Sequence, residues 1–176
     1  TSFVAIGICG SGTMGAGLAE VVASAGIDVI VCSRTMDAAE ALLVTVTTNL
    51  TKQVAKGKMT DSEKSRALSR VRITSSLIDL ANCDLVIESI IEDLAAKKRL
   101  FAELDTVINK SAILATNTST LAVIEMARTT QRPDRVCGIH FFNPAVLMPL
   151  VEIIRPITAS DDTIARALAF VQACGK

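Results

Sequence analysis

The 176 residues suffice for one domain, 1–176, that buries roughly two-thirds of its unfolded surface. Eighteen basic side chains balance eighteen acidic ones, so charge gives no case for nucleic acid or an anionic membrane as partner. Half the residues are hydrophobic, with no tryptophan or tyrosine, which predicts the aliphatic interior of a buried parallel sheet.

The first strand is expected over Phe3 to Cys9, a short apolar run rich in β-branched residues. Gly10-Ser11-Gly12-Thr13-Met14-Gly15 follows, a G-x-G-x-x-G leading into a helix over Met14 to Ala25. Gly10 permits a tight turn, Gly12 lets backbone approach a pyrophosphate, and Gly15 allows close helix packing. Free N–H groups at the helix start favour phosphate. A glycine-rich turn without a ligand would carry the same three residues. The strand before, the helix after and a second strand over Asp28 to Cys32 favour a nucleotide.

A long helical segment runs from Thr35 to about Lys58, and Thr60-Asp-Ser-Glu63 forms a capping box for a helix to about Arg70. This pair exceeds a simple crossover and is expected to project from the sheet. Strands follow over Val71 to Thr74 and Asp84 to Glu88, separated by a helical turn over Ser76 to Leu80. Leu100, Phe101, Leu104, Val107 and Ile108 give Leu94 to Ile108 the spacing of an amphipathic helix. Ala112 to Thr116 is a strand ending in the polar cluster Asn117-Thr-Ser-Thr120, which is expected to open the next helix. Val136 to Phe142 and Leu150 to Ile154 read as strands around a proline-rich loop, and Ser160 caps a last helix. Alternating strands and helices predict an α/β protein with a doubly wound, mainly parallel sheet.

No run approaches about 20 uninterrupted apolar residues, so no membrane span is expected. The start lacks the basic flank and apolar stretch of a signal peptide. Cys9, Cys32, Cys83, Cys137 and Cys174 lack C-x-x-C spacing, and one histidine makes a poor zinc site. Reduced thiols in a cytoplasmic protein without a metal are the expectation.

That histidine, His140, sits in Gly-Ile-His-Phe-Phe-Asn-Pro at a strand end. It is the one side chain here that ordinarily titrates near neutrality, hence the natural proton acceptor. A purely structural histidine is the alternative. Parallel sheets bind ligands beyond the carboxyl ends of their strands, where His140 and Asn117 to Ser119 both fall. Glu152 lies in an apolar run and needs a partner if buried; an exposed edge position is the other reading. Paired with His140, it would fix the imidazole tautomer. Lacking tyrosine, the chain cannot use a Tyr-x-x-x-Lys acid.

The chain resembles the N-terminal nucleotide-binding domain of the L-3-hydroxyacyl-CoA dehydrogenase family over essentially its whole length. GSGTMGAGLAE, VIESIIEDLAAKKRLFAELD, ATNTSTL and GIHFFNPAVLMPLVEII carry the resemblance. It implies a Rossmann-type fold, NAD(P) as cofactor and an acyl-CoA substrate. It also implies that His140 is the general base, oriented by Glu152, with Ser119 on the substrate oxygen and Asn143 holding that region. Glu92, Lys97, Asn117, Ser119 and Asn143 would line the cofactor site beside the glycine loop. Asn49 and Lys56 would contact coenzyme A, joined by Lys52, whose i,i+4 spacing puts it on the same face as Lys56, although spacing alone makes the two lysines an ordinary solvated face. Glu92 and Lys97 likewise read as surface charges without the family.

Two departures stand out. NAD-binding relatives carry a carboxylate after the second strand, where this chain has Ser33-Arg34 and no acid before Asp37. That favours NADP(H), with Arg34 available to a 2′-phosphate. The family's helical C-terminal domain, which forms its dimer, is absent from this stretch, so cofactor binding with little turnover is expected of it alone. Another 3-hydroxy acid or an acyl-carrier-protein thioester remains an alternative substrate. A non-catalytic, crystallin-like nucleotide binder remains an alternative class.

Overall fold

The structure, a computed structural model, describes residues 3–176. Seven strands form one sheet: β1 (Ala5–Cys9), β2 (Asp28–Cys32), β3 (Val71–Thr74), β4 (Leu85–Glu88), β5 (Ile113–Thr116), β6 (Val136–Phe141) and β7 (Val151–Ile154). Their order across the sheet is β3-β2-β1-β4-β5-β6-β7. The first six pair parallel, and β7 returns antiparallel to β6 at one edge. The order reverses between β1 and β4, and such a switch point is where open parallel sheets hold ligands, in the crevice beyond the carboxyl ends of the strands.

Among the described residues six α-helices cover both faces: α1 (Thr13–Ser24), α2 (Met36–Ala55), α3 (Asp61–Ser69), α4 (Leu94–Val107), α5 (Val123–Ala127) and α6 (Asp161–Ala173). On one face Leu18 and Val22 of α1, Leu42 and Val46 of α2, and Phe170 of α6 close over Ile6, Val29 and Ile139. On the other, Phe101 and Leu104 of α4 and Met126 of α5 close over Val86, Leu114 and Val136. Branched aliphatic side chains from both faces of each parallel strand give this two-sided core, as the composition led one to expect.

Most boundaries move by a residue or two at fraying ends, as helix ends do. Thr60 and Glu63 form the expected reciprocal capping box, and the Ser160 side chain accepts from Thr163 N–H. The helical pair after β2 is packed more tightly than a projection implies. Leu50 is fully buried, Gln53 donates to Glu20 of α1 at 2.7 Å, and α3 also lies against α1.

The polar cluster after β5 does not cap the next helix, which starts only at Val123 with no side-chain cap. Thr118 Oγ1 instead accepts from Leu121 N–H at 3.0 Å, making a local turn. Arg132 supplies an unforeseen brace. Its guanidinium meets Asp105 at 2.7 Å and the Asp105 and Ile108 carbonyls at 3.0 Å, satisfying the end of α4. All five cysteines are free thiols. Among the described residues no helix is long and apolar enough to cross a membrane.

Candidate active site

The glycine loop leaves β1 through Gly10, whose φ of +124° is left-handed territory. A Cβ on Gly10 would lie 2.3 Å from the Ser89 carbonyl oxygen. On Gly15 it would lie 2.1 Å from the Gly10 carbonyl oxygen, so Gly15 lets α1 close against the turn that begins the loop. Gly12 differs: its φ is −75°, which any residue adopts, and nothing lies within 4 Å of where its Cβ would be. Neither conformation nor packing within the chain requires glycine there; a side chain would instead project into the open space at the mouth of α1. Gly12 and Thr13 are exposed, and the first N–H groups of α1 have no intrahelical acceptor. These are the features a dinucleotide pyrophosphate needs.

Beside the loop, Ser11 Oγ and Ser33 Oγ share a hydrogen bond of 2.6 Å, tying the end of β2 to the glycine turn. Arg34 is exposed just beyond. The loops after β4 and β5 form the other wall. Asn117 accepts from Phe141 N–H at 2.8 Å and donates to Ser89 Oγ at 3.3 Å. Both ends of its amide therefore brace neighbouring strand ends.

Across the antiparallel β6–β7 ladder, His140 stands directly opposite Glu152. Their side chains project on one face, and Nδ1 meets Glu152 Oε2 at 2.9 Å. His140 Nε2 lies 3.2 Å from Ser119 Oγ, and Phe142 packs on the imidazole at 4.6 Å between ring centroids. An ionised carboxylate only accepts, so Nδ1 carries the hydrogen and Nε2 is left to accept from the serine hydroxyl. The His140 side chain is 12% exposed and that of Glu152 53%. Of the two sequence readings of Glu152, the exposed edge position is the one observed, and the carboxylate contacts His140 from there rather than from a buried site.

Lys97 departs from expectation. It is 1% exposed, neither a surface charge nor open to a ligand. Its ammonium contacts Glu88 at 2.6 Å and Glu92 at 3.2 Å. Glu88 is fully buried and also accepts from Thr116 Oγ1 and Ile90 N–H, each at 2.7 Å. Sequence reading missed Glu88, although the argument applied to Glu152 fits it: a carboxylate ending a buried apolar strand needs a partner.

Glu92 reaches the crevice wall. Its Oε1 accepts from Thr118 Oγ1 and from Ser119 N–H, the latter at 3.2 Å. Burial alone would raise its pKa. Hydrogen bonds from Thr118 and Lys97, the lysine charge and the Ser119 N–H outweigh that and hold it below the ordinary carboxylate range.

Asn143 is exposed at the start of the β6–β7 loop, before a cis peptide bond to Pro144. Asn49, Lys52 and Lys56 are not brought to the histidine. They lie at the far end of α2, about 20–30 Å along its axis from its first residue.

A glycine loop at the reversal of strand order, in a sheet whose far strand ends carry a carboxylate-held imidazole and a serine, has the form of a dinucleotide-binding domain. The chain matches the family described as "3-hydroxyacyl-CoA dehydrogenase, NAD binding domain" over residues 5–176, and it belongs to that family. It is 42% identical over 171 residues to the 3-hydroxybutyryl-CoA dehydrogenase of Bradyrhizobium diazoefficiens, covering 97% of this chain and 58% of that protein. Against the enzyme of that name from Clostridioides difficile it is 46% identical over 149 residues, covering 85% and 53%. The crystal structure of (S)-3-hydroxybutyryl-CoA dehydrogenase from Ralstonia eutropha superposes with a TM-score of 0.97 at 36% identity, covering 99% of this chain and 62% of that one. The chain therefore spans little more than half the length of these relatives.

Two outcomes test the cradle and its wall. Gly12→Ala should melt as the wild type yet lose NAD(P)H binding in a fluorescence titration, whereas Gly15→Ala should lose stability, by about 1–3 kcal/mol for overpacking. Glu92, with its folded pKa depressed, stabilises the fold fully above the unfolded value of about 4.3 and loses that contribution as pH falls through the folded pKa. The stability gap between wild type and Glu92→Gln, measured by urea titration, should thus be widest above pH ~4.3 and narrow in acid. A constant gap would contradict this.

Proposed function

We propose that this chain is the nucleotide-binding part of a 3-hydroxyacyl-CoA dehydrogenase acting on short substrates of the 3-hydroxybutyryl-CoA kind. One observation carries the reading: a single imidazole held by Glu152 on Nδ1 and facing Ser119 through Nε2, in the sheet that also carries the glycine loop after β1. The names of the relatives point to the same chemistry.

Nε2 of His140 accepts the proton of the 3-hydroxyl as that oxygen becomes a carbonyl. Glu152 stabilises the imidazolium that forms and keeps the ring from turning. Ser119, released from Nε2, donates to the same substrate oxygen. The nicotinamide cofactor, when bound, supplies the acceptor for the hydride leaving C3. In the reductive direction His140 returns the proton as general acid. Glu92, through Ser119 N–H and Thr118, holds the serine loop, and Asn143 supports the ligand from the β6–β7 loop. Asn49, Lys52 and Lys56 fit this scheme only through a long extended ligand, and an acyl-CoA is one.

The cofactor proposed is NADP(H). Ser33 stands where a ribose-binding carboxylate would repel a 2′-phosphate, its hydroxyl already beside Ser11. The exposed Arg34 guanidinium supplies a planar, charge-assisted partner.

Reduction of acetoacetyl-CoA is the test, measured on the chain extended by the remaining segment of the Bradyrhizobium relative. His140→Ala should lower kcat by at least ~100-fold, within the range for a general acid–base group; an unchanged rate would refute the role. Comparing both cofactors in the same assay checks the second point. NADPH should give the higher kcat/KM, and a tenfold preference for NADH would end that part of the proposal.

A further inference from the structure

The loop joining β6 to β7 carries Asn143 and fixes where Glu152 enters its strand. Pro144 O accepts from both Leu147 and Met148 N–H at 3.0 Å, folding the segment into a tight turn. Ala145, only 3% exposed, is pressed against α1: a Cβ on Gly17 would lie 3.2 Å from that of Ala145. Three carbonyls of this turn converge on one cation. Lys176 Nζ donates to Ala145 O at 2.8 Å, Val146 O at 3.2 Å and Met148 O at 2.9 Å. An ammonium has three hydrogens, and here each has an acceptor.

The direction of Lys176 is set by the end of α6. Gly175 has φ +72°, its N–H bonds Gln172 O at 2.9 Å, and Lys176 N–H bonds Val171 O at 3.2 Å. That pair of bonds is a Schellman ending. It turns the chain so that the lysine leaves the helix towards the loop.

We infer that Lys176 is a positioning residue: its ammonium clamps the Ala145–Met148 turn and so keeps Glu152 in register with His140. The edge strand needs such help. β7 has four residues and one neighbour, and Glu152 is more than half exposed. The ladder to β6 sets its register, and the turn before Val151 sets how the strand enters that ladder. The inference rests on the catalytic reading of His140 and Glu152 given above.

The single histidine makes the test direct, because the imidazole Cε1–H gives one unambiguous NMR signal. In the wild-type chain Glu152→Gln should move that signal. In a Lys176→Met background the same change should move it by less than half as much, while Lys176→Arg, which keeps several donors, restores the full response. Should Lys176→Met fail to fold, Lys176→Gln retains two donors and replaces it. In the extended enzyme Lys176→Met should lower kcat about 10-fold, a modest misplacement effect, with the KM for cofactor unchanged. An undiminished response to Glu152→Gln, or unaltered kcat, overturns the inference. Failure of the catalytic reading would show separately, as full activity in His140→Ala.

Discussion

The cross-strand pair of His140 and Glu152 is the contact on which the rest of this structure converges. Neither residue is unusual alone. An antiparallel edge strand added to a parallel sheet places them opposite one another, on one face, 2.9 Å apart. A slip of one residue in β7 would turn Glu152 to the other face and leave the imidazole without an orienting group. Register at a sheet edge thus becomes a chemical constraint, because it decides which ring nitrogen is free.

Behind the serine that faces His140 lies a second constraint of higher energetic stake. Glu88 and Lys97 are both removed from water, at a cost of several kcal/mol per ion that only close pairing offsets. Their pairing fixes the amino-terminal turn of α4 against the end of β4. Glu92, on the intervening loop, is held at the crevice by the same ammonium. The path from core to crevice runs Glu88, Lys97, Glu92, Ser119, each link a contact within 3.2 Å. Asn117 does a parallel task for the β6 end through the Phe141 N–H.

Much of this was legible in the sequence. The apolar runs of β1, β2 and β5 stand where periodicity placed them, because buried parallel strands announce themselves by continuous β-branched composition. The capping box at Thr60 is local chemistry, and local chemistry reads well. What escaped depends on contacts distant in sequence or hidden in three dimensions. Lys97 looked like a surface charge because its buried partner, Glu88, sits at the end of another element. The cluster Asn117 to Thr120 looked like a helix cap, yet Thr118 spends its hydroxyl on a turn and on Glu92. Asn49 and Lys56 came from resemblance alone, and Lys52 from its spacing to Lys56. Their place at the far end of α2 shows why spacing on a helix does not reveal distance from a site.

The central claim is that one acid-held imidazole faces the reacting oxygen across the mouth of the nucleotide crevice. A crystal structure with NADP and acetoacetyl-CoA bound tests it most directly. The account predicts the 3-oxygen within about 3.2 Å of both His140 Nε2 and Ser119 Oγ, with Glu152 still on Nδ1. An imidazole rotated off Glu152, or an acyl group seated away from Nε2, would contradict it.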